Sequence, residues 1–281
     1  PIEKGIAMLS PILSYTGGHD AAQAIMTTDT RPKETAYQAV LGGKPVTVGA
    51  MAKGSGMIHP NMATMLCFVT TDASISVALL QQALHAVVPD TFNMVSVDGD
   101  TSTNDMCVLM ANGLAGNGEI SAEGPDYDGF CALLSAALTD MARMMAGDGE
   151  GATTLITCQF SGAPDKPLAK RIAKSVICSS LVKAALFGAD ANWGRILCAI
   201  GYTEGDFSVS SIDVSIESAA GRVDVCKGGG GIPFSEELAK TVLLEKEITL
   251  LVDLHQGSAD AVAWGCDLTY DYVRINGDYR T

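Results

Sequence analysis

The sequence predicts a mixed α/β (α+β) chain of two layered domains, and three observations lead there. Helical and strand periodicities both run along its 281 residues, mixed without a strict βαβ rhythm. Apolar residues make up 47% and charged residues 18%, the balance of a chain with a substantial core. A turn-rich stretch, Ser161-Gly162-Ala163-Pro164-Asp165, divides the chain into a core domain over 1–160 and a smaller C-terminal α/β domain over 161–281. A chain of this length buries about 75% of its unfolded surface, so it needs no disulfide or metal staple.

The elements follow in order. Residues 1–50 carry a short helical stretch and turn signals at Gly17-Gly18 and Gly42-Gly43. Residues 53–66 have neither a helical nor a strand period, and Cys67-Phe68-Val69-Thr70-Thr71 then reads as a strand. Val77 to Val88 is a helix with Ser76 as its N-cap. Val95 to Asp105 is a polar, turn-rich loop. A long helix runs from about Asp126 to Ala146, with Pro125 in its first turn and Gly147 at its end. Its apolar stripe is Phe130, Leu134, Ala137, Leu138, Met141 and Met145. Leu155 to Phe160 is a strand, Pro167 to Ala185 a helix, and Val209 to Ile216 an alternating strand. Ser235 to Leu244 is a helix, Ile248 to Leu254 a strand, and Tyr270 to Ile275 a final strand.

Charge and cysteine usage exclude several function classes. The net charge of −14 argues against a surface for nucleic acid or anionic lipid, which needs clustered Lys and Arg. No run of 18 or more apolar residues is present to cross a bilayer as a helix. Of the eight cysteines, Cys67, Cys178 and Cys198 sit in apolar runs, and no CxxC occurs. They read as buried free thiols of a reducing cytoplasm.

Common ligand motifs fail on spacing. Gly42-Gly43-Lys44 is followed by Pro45 and is not a P-loop, and Gly147-Asp148-Gly149-Glu150-Gly151 is not a dinucleotide fingerprint. Lys227 with Gly228 to Gly231 reads as a flexible loop before it reads as an anion nest. Asp98-Gly99-Asp100-Thr101-Ser102-Thr103-Asn104-Asp105 lacks the Gly and the Glu of a calcium loop, which leaves a hydrogen-bonded structural turn. Four scattered histidines and no HxxxH argue against zinc.

One segment remains, Lys53-Gly54-Ser55-Gly56-Met57-Ile58-His59-Pro60-Asn61-Met62-Ala63-Thr64-Met65-Leu66. Its glycines permit close backbone approach, Lys53 adds a cation, and Pro60 holds His59 extended. From the residues alone, a Gly-rich loop leading into a buried strand is the simpler reading. The run from Met51 to Leu66, however, resembles the signature of the ornithine acetyltransferase family, the glutamate N-acetyltransferases of arginine biosynthesis. Five further blocks resemble that family in order: Ala24 to Thr30, Ser96 to Asp105, Gly147 to Thr153, Ala189 to Arg195 and Tyr272 to Thr281.

The resemblance implies an N-terminal-nucleophile-type layered core whose C-terminal strand and tail return to the active site. It implies self-cleavage between Ala63 and Thr64, giving an α segment 1–63 and a β segment 64–281. The freed α-amine of Thr64, with a usual pKa of about 7.7–8.0, then serves as base for its own hydroxyl, so no His-Asp pair is required. Thr64 takes acetyl from N-acetylornithine, and the amine of glutamate attacks the acetyl-Thr64 ester. Thr30, Lys53, Thr64, Glu150, Asn276 and Thr281 match substrate-binding positions. Lys53 suits a substrate carboxylate, and Glu150 suits the ornithine ammonium. No metal or cofactor is implied, and acetyl-CoA is an alternative acetyl donor within the family. An α2β2 heterotetramer of cleaved chains is implied as well.

The family's oxyanion-hole Thr-Gly pair falls upstream of Pro1, and the chain begins without Met or a signal-peptide pattern. The expectation is a truncated or partial sequence, weakly active or inactive alone, since such a hole contributes about 10²–10³ in rate. Two other readings stand beside the transferase: an aminopeptidase or amidase of the same fold group, and an inactive homologue that never cleaves.

Overall fold

The computed structural model of the protein describes residues 1–59 and 65–278. α1 (Ile2–Leu9) and α2 (Gly18–Ala24) open the chain. β1 (Lys33–Leu41) and β2 (Lys44–Lys53) form an antiparallel hairpin turned at Gly42-Gly43. β3 (Leu66–Thr71) pairs antiparallel with β2. The chain then runs through α3 (Val77–Val87) and β4 (Val95–Ser96) to β5 (Met106–Ala111), which lies parallel to β3. These strands form a small sheet in the order β1-β2-β3-β5.

α4 (Pro125–Gly147) is the central helix. It packs on β1 and β2 of the small sheet and on β11 and β6 of the second sheet. All six residues of its expected stripe are buried, each large one contributing about 1.5–3 kcal/mol. The second sheet has seven strands in the order β4-β11-β6-β10-β7-β8-β9. They are β6 (Leu155–Ala163), β7 (Asp213–Ser218), β8 (Gly221–Lys227), β9 (Gly230–Gly231), β10 (Glu247–Asp253) and β11 (Ala259–Cys266), with β4 at one edge. Residues 161–165 carry the chain out of β6 into α5 (Lys166–Cys178), where Asp165 caps by accepting from the Leu168 amide at 2.8 Å. α5 packs on β6 and β11. α6 (Ser180–Phe187), α7 (Trp193–Gly201) and α8 (Glu236–Leu243) complete the helices before the C-terminal α9 (Tyr270–Asp278).

Several sequence expectations are corrected. The helix expected over 167–185 is two helices, because Ser179 turns extended (ψ 112°) and its hydroxyl caps α6 at the Val182 amide. The strand expected from Val209 starts at Asp213, after a single tight helical turn at Val209–Ser211. The expected final strand over 270–275 is the helix α9. The Thr269 hydroxyl accepts from the Tyr272 amide as an N-cap, overriding the strand preference of Tyr, Val and Ile. The loop at 228–229 is a hairpin turn whose Gly228 amide binds the carboxylate of Asp213 at 2.8 Å, so a side chain of the fold fills the nest.

Candidate active site

The small sheet delivers the signature segment. Lys53 ends β2 in register with Leu66, so the chain leaves β2 and re-enters β3 at the same edge. Between them, three other parts of the chain pin the backbone. The Gly54 amide donates to Asp29 at 2.7 Å, and the hydroxyls of Ser55 and Thr28 are 2.6 Å apart. The Ser55 carbonyl accepts from the Glu150 amide at 2.8 Å. The amides of Met57 and Ile58 donate to the two oxygens of Asp98 at 2.7 and 3.0 Å. Ala63 and Thr64 lie outside the described residues, between His59 and Met65. At Met65 the amide donates to Asp105, and the carbonyl accepts from Met106 at 2.8 Å.

A buried ion cluster supports this loop from beneath. The fully buried Lys33 ammonium donates to Asp29 at 2.5 Å and to Asp148 at 2.6 Å. Burial alone would raise the Asp29 carboxyl, but the Gly54 amide and Lys33 outweigh it and hold it below its usual value. Asp148 also receives the amide of Thr30 at 3.1 Å and its hydroxyl. The Thr30 hydroxyl thus gives its proton to Asp148 and keeps its lone pairs for accepting.

Glu150 and Asn276 meet. The Asn276 amide donates to Glu150 Oε2 at 2.8 Å and to the Tyr272 carbonyl at 3.1 Å. The Glu150 carboxylate lies against Gly56, where any Cβ would collide with it. Gly151 has φ +70°, and a Cβ there would stand 2.6 Å from the Tyr272 backbone nitrogen. Both glycines are therefore required by close approach. The Tyr272 hydroxyl is pushed up to about 12 by burial and by Asp98 and Asp100. Thr281 lies outside the described residues.

Of the expected site residues, the structure brings Glu150 and Asn276 into contact; Thr30 is held by Asp148, and Lys53 closes β2 opposite Leu66. His59 stands at one end of the undescribed segment, 3.0 Å from the Ser96 hydroxyl, with burial and then Lys174 lowering its ring to about 4. It is neutral near pH 7. Sequence reasoning missed Lys33, Asp105 and Tyr272, and set Asp98 aside with the rejected calcium loop. Asp98 and Asp105 lay within a quoted block, whereas Lys33 had no motif to mark it. Among the described residues, no group of three or more His, Cys, Asp and Glu side chains is placed to hold a metal. No helix among them is long and apolar enough to cross a membrane.

Two sheets with a long helix between them, and a loop held at the edge of the smaller sheet, define a layered α/β protein. Comparison with known proteins narrows this. The whole chain, residues 1–281, matches the ArgJ family, and it belongs to that family. It is 51% identical to the arginine biosynthesis bifunctional protein ArgJ of Symbiobacterium thermophilum, over 100% of this chain and 69% of that protein. The protein of the same name from Geobacillus kaustophilus is 51% identical, over 100% of this chain and 68% of the relative. The crystal structure of the Bacillus halodurans protein of that name superposes with a TM-score of 0.72 at 48% identity, covering 75% of this chain and 98% of the solved one.

Proposed function

We propose that this chain is a glutamate N-acetyltransferase of arginine biosynthesis. It carries acetyl from N-acetylornithine to glutamate through acetyl-Thr64, after self-cleavage between Ala63 and Thr64. The observation that carries this reading is the 2.8 Å contact between Asn276 and Glu150 beside Gly56. It joins the C-terminal helix, the 147–151 loop and the signature loop into one polar wall. In this reading Lys53 receives a substrate carboxylate, and Glu150 with Asn276 orients the ornithine ammonium. Thr30 accepts a hydrogen bond, and Thr64 supplies nucleophile and base.

In the same reading the cleaved chains assemble as an α2β2 heterotetramer in the cytoplasm. The reaction draws on no metal or cofactor, with acetyl-CoA as a second acetyl donor. The test is product analysis with N-acetylornithine, with and without glutamate. Ornithine and N-acetylglutamate should form together over many turnovers only with glutamate present, beyond the single ornithine released as each Thr64 is acetylated. Free acetate released regardless of glutamate would point to an amidase, because a transferase must keep water from its acetyl ester. A single band near 29.1 kDa on a denaturing gel would point to a homologue that does not cleave.

A further inference from the structure

Asp148 grips Thr30 with both of its oxygens. The Thr30 amide donates to Oδ2 at 3.1 Å, and the Thr30 hydroxyl donates to Oδ1. The same Oδ2 takes the ammonium of Lys33 at 2.6 Å, and that ammonium also reaches Asp29 at 2.5 Å. Asp148 is 5% exposed and Lys33 is fully buried, so water competes little for these bonds. Asp148 stands directly after α4, with its own amide donating to the Met144 carbonyl at 3.1 Å. The central helix therefore fixes the carboxylate, and the carboxylate fixes Thr30.

A carboxylate accepts and does not donate. The single proton of the Thr30 hydroxyl is thus committed to Oδ1, and its oxygen offers only lone pairs to any other group. Thr30 itself is exposed, on the ligand side of a buried network. An N–H brought to that oxygen gains a hydrogen bond, whereas an ester or ether oxygen meets lone pair against lone pair. N-acetylornithine has two kinds of N–H, the terminal ammonium and the acetamido N–H. With the ammonium at Glu150 and Asn276, the acetamido N–H is the donor that remains. Glutamate brings N–H bonds at the equivalent atom, its α-nitrogen.

Resting on the acetyl-transfer reading above, we propose that Asp148 is the positioning residue that sets this selectivity. By holding the Thr30 proton, it makes Thr30 an acceptor for the N–H of the substrate α-nitrogen, and the site favours acetamides over acetyl esters.

The test compares two acetyl donors in the full-length protein: N-acetylornithine, and the ester in which oxygen replaces its acetylated nitrogen. The readout is the ratio of their kcat/KM values for transfer to glutamate. Asp148→Asn is informative because its orientation is forced. The Asn oxygen must stay where Lys33 and the Thr30 amide donate, which sets its NH2 group against the Thr30 hydroxyl. That hydroxyl then accepts from Asn and turns its own proton outward. The amide-to-ester ratio should fall about 10–100-fold, with the loss falling on the amide. Thr30→Val removes the acceptor at nearly constant shape and should lower the ratio about tenfold, and Thr30→Ser should restore it. Equal losses on both donors, the result of a merely structural role, overturn the proposal, as does an ester that neither the wild type nor any variant turns over. A wild-type protein that transfers nothing from N-acetylornithine overturns the acetyl-transfer reading, and this role with it. Should Asp148→Asn fail to fold by circular dichroism, the Thr30 variants decide, and a wild-type ratio in Thr30→Val rejects the proposal.

Discussion

Asn276 donates a hydrogen bond to Glu150 at 2.8 Å, joining side chains 126 positions apart. Asn276 is exposed and Glu150 half-buried, so the contact orients a carboxylate more than it stabilises the fold. Asn276→Ala is expected to lower kcat/KM for N-acetylornithine about tenfold, the range for losing a hydrogen bond to a charged group. Stability should change by no more than about 0.5 kcal/mol. Steady-state kinetics beside a urea titration measures both.

Lys33 is the opposite case. Its ammonium is fully buried between two carboxylates, and its removal leaves both uncompensated. Lys33→Met should destabilise the protein by about 3–5 kcal/mol, read as a lowered urea midpoint.

The same cluster predicts an acid sensitivity. The Asp29 pKa is lower in the folded protein than in the unfolded chain, so its contribution is present above the ordinary carboxyl value of 3.8 and is lost as pH falls through the lowered one. The urea midpoint should fall below about pH 4, and Asp29→Asn should flatten that part of the curve.

Asp105 has the reverse sign. Its pKa is raised on folding to about 6, so stability is greatest below its unfolded value and declines as pH rises through about 6. Asp105→Asn should therefore melt no lower than the wild type at pH 8, a result visible by scanning calorimetry.

Gly56 and Gly151 separate side-chain crowding from backbone crowding. In Gly56→Ala the new methyl meets the movable end of Glu150, so KM should rise while the melting temperature holds. In Gly151→Ala it meets the backbone of α9, at a φ of +70° that alanine resists. Hydrogen exchange should show α9 losing protection, with activity falling alongside.

Much of this architecture was legible because single residues carried it. Ser76 marked the start of α3, and Pro125 with Gly147 bracketed α4, whose stripe is buried as its spacing requires. The β1–β2 hairpin was missed although Gly42-Gly43 signalled its turn, since half-buried strands such as β1 carry weak apolar contrast. α9 was misread because its cap, Thr269, acts together with Gly151, a neighbour 118 positions away. The resemblance singled out Glu150 and Asn276, far apart in sequence, and the structure brings the two into contact. Lys33 carried no signal of its own, because its place depends on what surrounds it, two buried acids.

The ladder from Val48 opposite Thr71 to Lys53 opposite Leu66 has a mechanical meaning for a chain cut between residues 63 and 64. The break would fall outside the ladder, with β2 on one fragment and β3 on the other. Each would lend strands to a single sheet, and α4 from the larger fragment would clasp the hairpin of the smaller. A nicked molecule would thus be held shut by its own hydrogen bonds, travelling as one body under native conditions and parting only when the sheet itself is melted.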